Sequence, residues 1–202
     1  NGILEKPINL TRRQAGWSRQ GAASPIMLPN KWRVRPGGPL DTALASWLRE
    51  PGSLTARCQR NSRQFRVRLL RYEKGQALAD EGLLLNKSRQ PAWVREVALE
   101  CDGVPVIFAH STLSTAINGR LSRWLSRLGS KSLGSVLFTH PGFSRGPIEF
   151  LRLDHRHPLF QRAAKLGTAD RYLWARRSLH RLGAQKVLVT EVFLPLVRSL
   201  RA

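Results

Sequence analysis

The pattern of apolar residues predicts two short helices and then a strand in the first part of the folded region. After Asp41, apolar residues recur at i, i+3 and i+4, which is typical of a helix, and Pro51-Gly52 ends it. Ser53 can cap a second short helix through residues 54–58. From Gln64 to Arg71 apolar and polar residues alternate, which predicts a strand.

Alternation in the rest of the chain predicts further strands joined by tight turns. These strands are expected at Trp93–Glu100, Val104–Leu113, Pro147–Leu153, Arg171–Leu182 and Lys186–Leu194. Two hairpin turns are expected, at Asp102-Gly103 and Gly183-Ala184. Helical segments are expected at Arg120–Gly129, Leu133–Phe138 and Leu159–Leu166. Hairpin-linked strands with few helices indicate an α+β fold: a single antiparallel β-sheet with helices packed on one side.

The first 39 residues differ from the rest of the chain. They are rich in proline and basic residues, and no apolar periodicity survives among them. We therefore expect residues 1–39 to form an extended or partly disordered basic extension. Residues 40–202 are expected to form the folded domain.

The net charge of the chain is compatible with several kinds of binding partner. The chain has 34 Lys and Arg against 13 Asp and Glu, a net charge of +21. Such a charge fits nucleic acid, an anionic membrane surface, a small anionic ligand, or simply a solvated surface. No nucleic-acid-binding motif is present, so we expect no specific nucleic-acid partner. No apolar run reaches the roughly 18 residues of a membrane-spanning helix, so we expect no transmembrane segment.

Cysteine and histidine usage predicts no metal site. Cys58 and Cys101 are too far apart in sequence for a metal pair and form no disulfide framework. His155 and His157 flank an arginine before Pro158, which is more typical of a solvated turn than of a metal site. Two cysteines and an N-terminus without a secretory-signal pattern lead us to expect a cytoplasmic protein.

The strand at Trp93–Glu100 carries a cation on its apolar face. Arg95 alternates with Trp93, Val97 and Leu99. A guanidinium group does not lose its proton in proteins, so its burial requires an anionic partner.

The last strand mirrors this arrangement with a carboxylate. Glu191 shares one face with Val187, Val189 and Phe193 in an otherwise apolar run. Two interpretations follow. Arg95 and Glu191 pair with each other as a structural bridge, or they stand at two ends of an apolar pocket. The second arrangement suits a flat, anionic small molecule that carries a hydroxyl group.

Four stretches around these residues resemble, in order and spacing, the chorismate pyruvate-lyase family of ubiquinone biosynthesis. They are Trp93–Glu96 followed by Cys101–Gly103, Leu133–Thr139, Leu173–Ser178 and Thr190–Pro195. The resemblance covers about residues 40–197. It implies conversion of chorismate to 4-hydroxybenzoate and pyruvate, with no metal or organic cofactor. It also implies an antiparallel sheet whose aromatic product lies buried beneath helical flaps.

The resemblance also implies site residues, position by position. The arginine that binds the product carboxylate falls on Arg95, and the glutamate that contacts its hydroxyl falls on Glu191. Flap contacts fall on Leu54, where relatives commonly have methionine, and on Leu133. Burial beneath flaps leads us to expect slow product release and product inhibition.

Chorismate is a dianion, so a second cation is needed. Where close relatives carry an arginine on the second strand of the central hairpin, this chain has His110. Histidine is only partly charged near neutral pH, which puts that anion contact in doubt. His110 and Arg176 are the two candidates for the second cation.

A binding module is the competing function. A related fold serves as the effector domain of GntR-type transcription regulators, which sense a small ligand without converting it. Such regulators carry an N-terminal winged helix-turn-helix, and the 39-residue extension is too short and irregular for one. The presence of both Arg95 and Glu191 also favours an enzyme, which we expect to be a monomer.

Overall fold

One antiparallel sheet of seven strands organises the chain in this computed structural model, which describes residues 32–85, 91–114, 133, 137, 142–167 and 170–200. The strands are β1 Phe65–Gln76, β2 Pro91–Cys101, β3 Val104–Ser114, β4 Ser144–Arg145, β5 Glu149–Leu153, β6 Leu173–Leu182 and β7 Gln185–Phe193. Their order is β1-β2-β3-β7-β6-β4, and β5 also pairs with β6. The predicted α+β class and single antiparallel sheet are confirmed.

Short helices flank the sheet. They are α1 Thr42–Leu48, α2 Leu54–Arg60, α3 Gly82–Leu85 and α4 Pro158–Ala164, followed by a 3-10 helix at Pro195–Ser199. The predicted caps are present, since Asp41 accepts a hydrogen bond from the Leu44 amide and Ser53 from the Ala56 amide. His157, expected in a solvated turn, is instead buried and caps α4 through its ring nitrogen.

A single extra residue in β3 sets which side chains share a face. Asp102 and Gly103 have positive φ angles of 52° and 82°, and they form the predicted hairpin turn. The register then shifts beyond Glu100, so that Val106 has no opposite residue on β2. Arg95 consequently lies opposite Ser111, and Glu96 lies opposite His110.

Helices cover both faces of the sheet, not one as expected. We call the face that bears Arg95, Ser111 and Glu191 the front face, and the face that bears Glu96 and His110 the back face. Apolar residues of α1 and α2 join a core with front-face residues, while those of α4 join a second core behind the sheet. The strands carry apolar residues on both faces, so each face requires its own cover.

The described end of the predicted extension is bound to the domain. Arg33 exchanges two backbone hydrogen bonds with Phe150 of β5, at 2.7 and 3.1 Å. The Trp32 indole donates to Asp80 at 2.7 Å. Residues 1–31 and the predicted helix at Arg120–Gly129 lie outside the described residues. Of the helical turn predicted at residues 133–138, Leu133 and Leu137 are described, and both are helical.

Candidate active site

A pocket opens on the front face of the sheet, beneath α2 and Leu133. Its walls are mostly aliphatic, with two charged groups and three hydroxyl groups among them. The lining residues are Ser53, Leu54, Thr55, Val67, Arg95, Val97, Leu99, Ala109, Ser111, Leu133, Val189 and Glu191. Both charged residues that alternation singled out therefore face one cavity.

Arg95 supplies the cation on the β2 side of this pocket. Its side chain lies on the front face and the residue is 2% exposed. Burial lowers the pKa of the Arg95 guanidinium, and the nearby Tyr72 opposes that shift. Arginine nevertheless stays charged in proteins, so the apolar wall holds a fixed positive charge.

Glu191 supplies the carboxylate on the β7 side, and its ion-pair partner is Arg176. The Arg176 Nε donates to Glu191 Oε2 at 2.6 Å across the β6–β7 pair. Arg176 is 1% exposed, and its Nη1 also donates to the backbone carbonyls of Leu48 and Glu50. One guanidinium thus orients the carboxylate and holds the loop between α1 and α2.

The two charged ends stand well apart. Arg95 lies opposite Ser111, which lies opposite Val189, and Glu191 is two residues further along β7. Two strand spacings and two residue rises place the Cα atoms of Arg95 and Glu191 about 12 Å apart. An apolar floor with a cation at one end and a carboxylate at the other can hold a planar molecule with an acid group opposite a hydroxyl group.

Leu54 and Leu133 form part of the cover. Leu54 is the first residue of α2 and is 2% exposed, and Leu133 is 4% exposed. Both line the pocket from the side opposite the sheet floor. Their aliphatic side chains make this side of the pocket apolar.

His110 does not lie at this pocket. The shifted register of β3 puts its ring on the back face, where the imidazole is 1% exposed. Its Nδ1 lies 2.9 Å from Glu96 Oε1 and its Nε2 lies 3.3 Å from Glu81 Oε1. Burial alone would lower the pKa of His110, but the two carboxylates outweigh it and raise the pKa to about 8. The imidazolium therefore serves a buried network and does not reach a front-face anion.

The sequence pattern did not predict several polar groups at or near the pocket. The hydroxyl groups of Ser53, Thr55 and Ser111 line the pocket. Alternation on β3 would have identified Ser111 once the register was known. Arg145 of the two-residue strand β4 donates to Ser178, which lies opposite the pocket residue Val189. So short a strand gives no periodic signal in the sequence.

Metal ligands are not gathered at this pocket. Among the described residues, no group of three or more His, Cys, Asp and Glu side chains could hold a metal ion.

No helix in the described ranges has the length and apolar character needed to cross a membrane.

Sequence comparisons identify close relatives. Residues 38–200 match the family model described as chorismate lyase. A protein of Dechloromonas aromatica (strain RCB), named probable chorismate pyruvate-lyase, is 66% identical over 176 residues, which cover 87% of this chain and 100% of that protein. A protein of the same name from Nitrosomonas europaea is 45% identical over 175 residues, covering 85% of this chain and 97% of that one.

Solved structures share the fold at low sequence identity. The C-terminal domain of the histidine utilization repressor from Pseudomonas syringae pv. tomato str. DC3000 superposes with a TM-score of 0.51 and 10% identity. That match covers 69% of this chain and 97% of that domain. The PhnF C-terminal domain gives a TM-score of 0.50 at 15% identity, covering 64% and 82%. At these identities the likeness concerns the fold alone.

Proposed function

Because the chain belongs to the chorismate lyase family, we propose that it eliminates pyruvate from chorismate and releases 4-hydroxybenzoate for ubiquinone biosynthesis. The observation that carries this proposal is the pocket with Arg95 at one end and Glu191 at the other. 4-Hydroxybenzoate is a flat ring with a carboxylate opposite a hydroxyl group. Each end of such a product meets a group of complementary chemistry across an aliphatic floor.

Arg95 is proposed to bind the ring carboxylate through a bidentate pair. The planar guanidinium group matches a carboxylate in geometry, and a low-dielectric wall strengthens the charged hydrogen bonds. The place of Arg95 supports this assignment, because the residue is 2% exposed and lines the pocket among aliphatic side chains.

The proposed reaction depends more on positioning the substrate than on strong acid or base catalysis. The ether bond between the ring and the enolpyruvyl oxygen breaks and the ring loses a C–H proton. The enolpyruvyl group leaves as the enolate of pyruvate, which takes up one proton at its methylene carbon to become pyruvate. Aromatisation of the ring drives this elimination downhill. Holding the reactive conformer, with a modest acid or base contribution, is therefore sufficient.

Glu191 has two candidate roles in this step. It acts as an acid toward the leaving ether oxygen, or it orients the substrate by accepting a hydrogen bond from the ring hydroxyl group. Glu191→Gln keeps the shape and removes the carboxylate. Unchanged turnover in this variant would exclude essential proton transfer by Glu191. A fall in kcat of about 100-fold or more, with product affinity retained, would support such a transfer.

The decisive experiment incubates the purified protein with chorismate. Growth of 4-hydroxybenzoate absorbance, with pyruvate detected in equal amount, is the expected result. Binding of 4-hydroxybenzoate without any conversion of chorismate would instead favour a sensing module. In a pre-steady-state assay with chorismate in excess over the protein, a burst of product followed by a slower steady rate is expected, because release past Leu54 and Leu133 requires the cover to open.

We also propose that the protein is a cytoplasmic monomer. Cys58 and Cys101 are free thiols, which suits the reducing cytoplasm. A monomer remains our prediction, and light scattering on the eluting protein measures it directly.

A further inference from the structure

Ser111 places a hydroxyl group in the aliphatic floor of the pocket. It lies on the front face of β3, is 3% exposed and lines the cavity. Its neighbours on the floor include Val97, Ala109 and Val189. An aliphatic side chain would suit this place on a central strand and would need no polar partner. A hydroxyl group here therefore costs free energy unless it takes part in a hydrogen bond.

The described part of the chain supplies no such partner. Within those ranges, no hydrogen bond joins the Ser111 hydroxyl group to another group. Two nearby hydroxyl groups differ in this respect. Ser53 at the pocket accepts a hydrogen bond from the Ala56 amide at 3.3 Å, and Thr112, the next residue on β3, donates to Glu81 Oε2 at 2.9 Å. The Ser111 hydroxyl group is thus available to a molecule in the pocket.

The strand register places this hydroxyl group at the Arg95 end of the pocket. Ser111 lies directly opposite Arg95 across the β2–β3 pair, on the same face. Directly opposite side chains have Cβ atoms about 4.5–5.5 Å apart, so both can reach one small group above the floor. Glu191 pairs instead with Ala109, further along the sheet. An acid group that meets the Arg95 guanidinium therefore also lies within reach of Ser111.

We propose that Ser111 is a second contact of the ring carboxylate, donating its O–H to one carboxylate oxygen beside Arg95. The proposal rests on the proposed function, since it takes an aromatic acid as the ligand. A hydroxyl group has one proton to donate and an ionised carboxylate only accepts, so the two are complementary. Hydrogen bonds to a charged acceptor are stronger than those to a neutral one. Ser111 thereby helps the pocket to select an aromatic acid over a neutral ring of the same shape.

A purely structural role of Ser111 makes a different prediction. If the hydroxyl group served the fold, its removal would lower the stability of the unliganded protein and weaken every ligand alike. If it serves the carboxylate, its removal leaves that stability unchanged or higher, because the unliganded fold loses a buried hydroxyl group that has no hydrogen bond there. Affinity then falls only for ligands with an acid group.

The test titrates an acid and a neutral ring against the same variants. Calorimetry measures the affinity for 4-hydroxybenzoate, and displacement titration measures that for 4-methylphenol, in which a methyl group replaces the carboxylate. We expect Ser111→Ala to weaken binding of 4-hydroxybenzoate about 10-fold, the value of one hydrogen bond to a charged group. Its affinity for 4-methylphenol should change by less than about twofold. Ser111→Thr keeps the hydroxyl group and should retain most of the affinity for the acid.

Thr112→Val is the matched control. It removes the neighbouring hydroxyl group of the same strand and keeps the side-chain shape, but on the back face. We expect its denaturant midpoint to fall, because Glu81 loses a hydrogen-bond donor, while its affinity for 4-hydroxybenzoate changes by less than about twofold. Ser111→Ala should show the reverse, with weaker binding of the acid and a midpoint that is unchanged or higher.

Each outcome decides the assignment. Unchanged affinity of Ser111→Ala for 4-hydroxybenzoate overturns it, and so does an equal loss for both ligands. A wild-type protein that binds 4-hydroxybenzoate no more tightly than 4-methylphenol also overturns it. Conversion of chorismate is measured separately. Its absence in a wild-type protein that binds 4-hydroxybenzoate overturns the proposed function, and the binding comparison still tests Ser111.

Discussion

The front and back faces of the sheet both bury charged side chains, but they place them in different surroundings. On the back face, the imidazole of His110 lies between Glu81 and Glu96, and Arg162 also pairs with Glu96. On the front face, Arg95 and Glu191 line a cavity, and Glu191 is held by Arg176. The back-face charges are packed into a network of ion pairs, whereas Arg95 and Glu191 border a space that a ligand can occupy.

This difference separates a structural network from a candidate binding site. His110 and Arg95 are equally deeply buried, at 1% and 2% exposure, and both lie on central strands. Burial of a charged group is therefore a poor indicator of function on its own. What distinguishes the two groups is that Arg95 lines a cavity, whereas His110 lies between two carboxylates in a packed network.

The strongest test of this contrast removes the central cation of the back face. His110→Ala leaves Glu81 and Glu96 without the imidazolium between them, and we expect the free energy of unfolding to fall by about 3–5 kcal/mol. Denaturant titration measures this, and His155→Ala, an exposed site, should change it by less than about 0.5 kcal/mol. The inhibition constant of 4-hydroxybenzoate should stay the same in the folded protein. A change in that constant would contradict the separation of the two faces.

Removing the front-face cation should have the opposite profile. Arg95→Gln is expected to weaken binding of 4-hydroxybenzoate at least 100-fold, about 2.7 kcal/mol, because the ligand carboxylate loses its partner in an apolar wall. Calorimetric titration measures this affinity, with Arg63→Gln, an exposed residue just before β1, as the control. The free energy of unfolding should fall by less than in His110→Ala. Retention of tight product binding would disprove the assignment of Arg95.

The pH dependence of stability gives a smaller effect of known sign. The pKa of His110 is raised from 6.5 to about 8 in the folded protein, so its stabilisation is full below pH 6.5 and is lost as pH rises through 8. We expect the free energy of unfolding to fall by about 2 kcal/mol over that interval. Glu81 and Glu96 have lowered pKa values, so their contribution is lost only in acid, below about pH 4.5. Denaturant titrations from pH 6 to 9 should show this fall in the free energy of unfolding in wild type. The fall should be absent in His110→Gln.

Part of the site could be predicted because successive side chains of a strand point to opposite faces of the sheet. Period-two alternation placed Arg95 and Glu191 on apolar faces, and both line one pocket. The pairing of Glu191 with Arg176 was also within reach. The two-residue turn at Gly183-Ala184 aligns Leu182 with Gln185, and counting back from that pair sets Arg176 opposite Glu191.

The same counting fails on the other hairpin. A regular ladder from the turn at Asp102-Gly103 would put Arg95 opposite His110, on one face. The extra Val106 shifts the ladder by one residue and turns His110 to the back. Val106 is buried in the front core, so the bulge depends on tertiary packing that a single strand pattern does not encode. The short strand β4, and with it Arg145, was beyond sequence reasoning for lack of any period.

Val106 decides which side chains the hairpin offers to the pocket. Exchanging one aliphatic side chain for another there keeps Ala109 and Ser111 on the pocket floor. A ladder that took Val106 as an ordinary paired residue would turn His110 and Thr112 to the pocket and move Ser111 into the rear network. Deleting Val106 would instead straighten the strand and keep the present partners of residues 107–113. Working relatives should therefore tolerate the loss of this residue better than the gain of one more between Pro105 and Ile107.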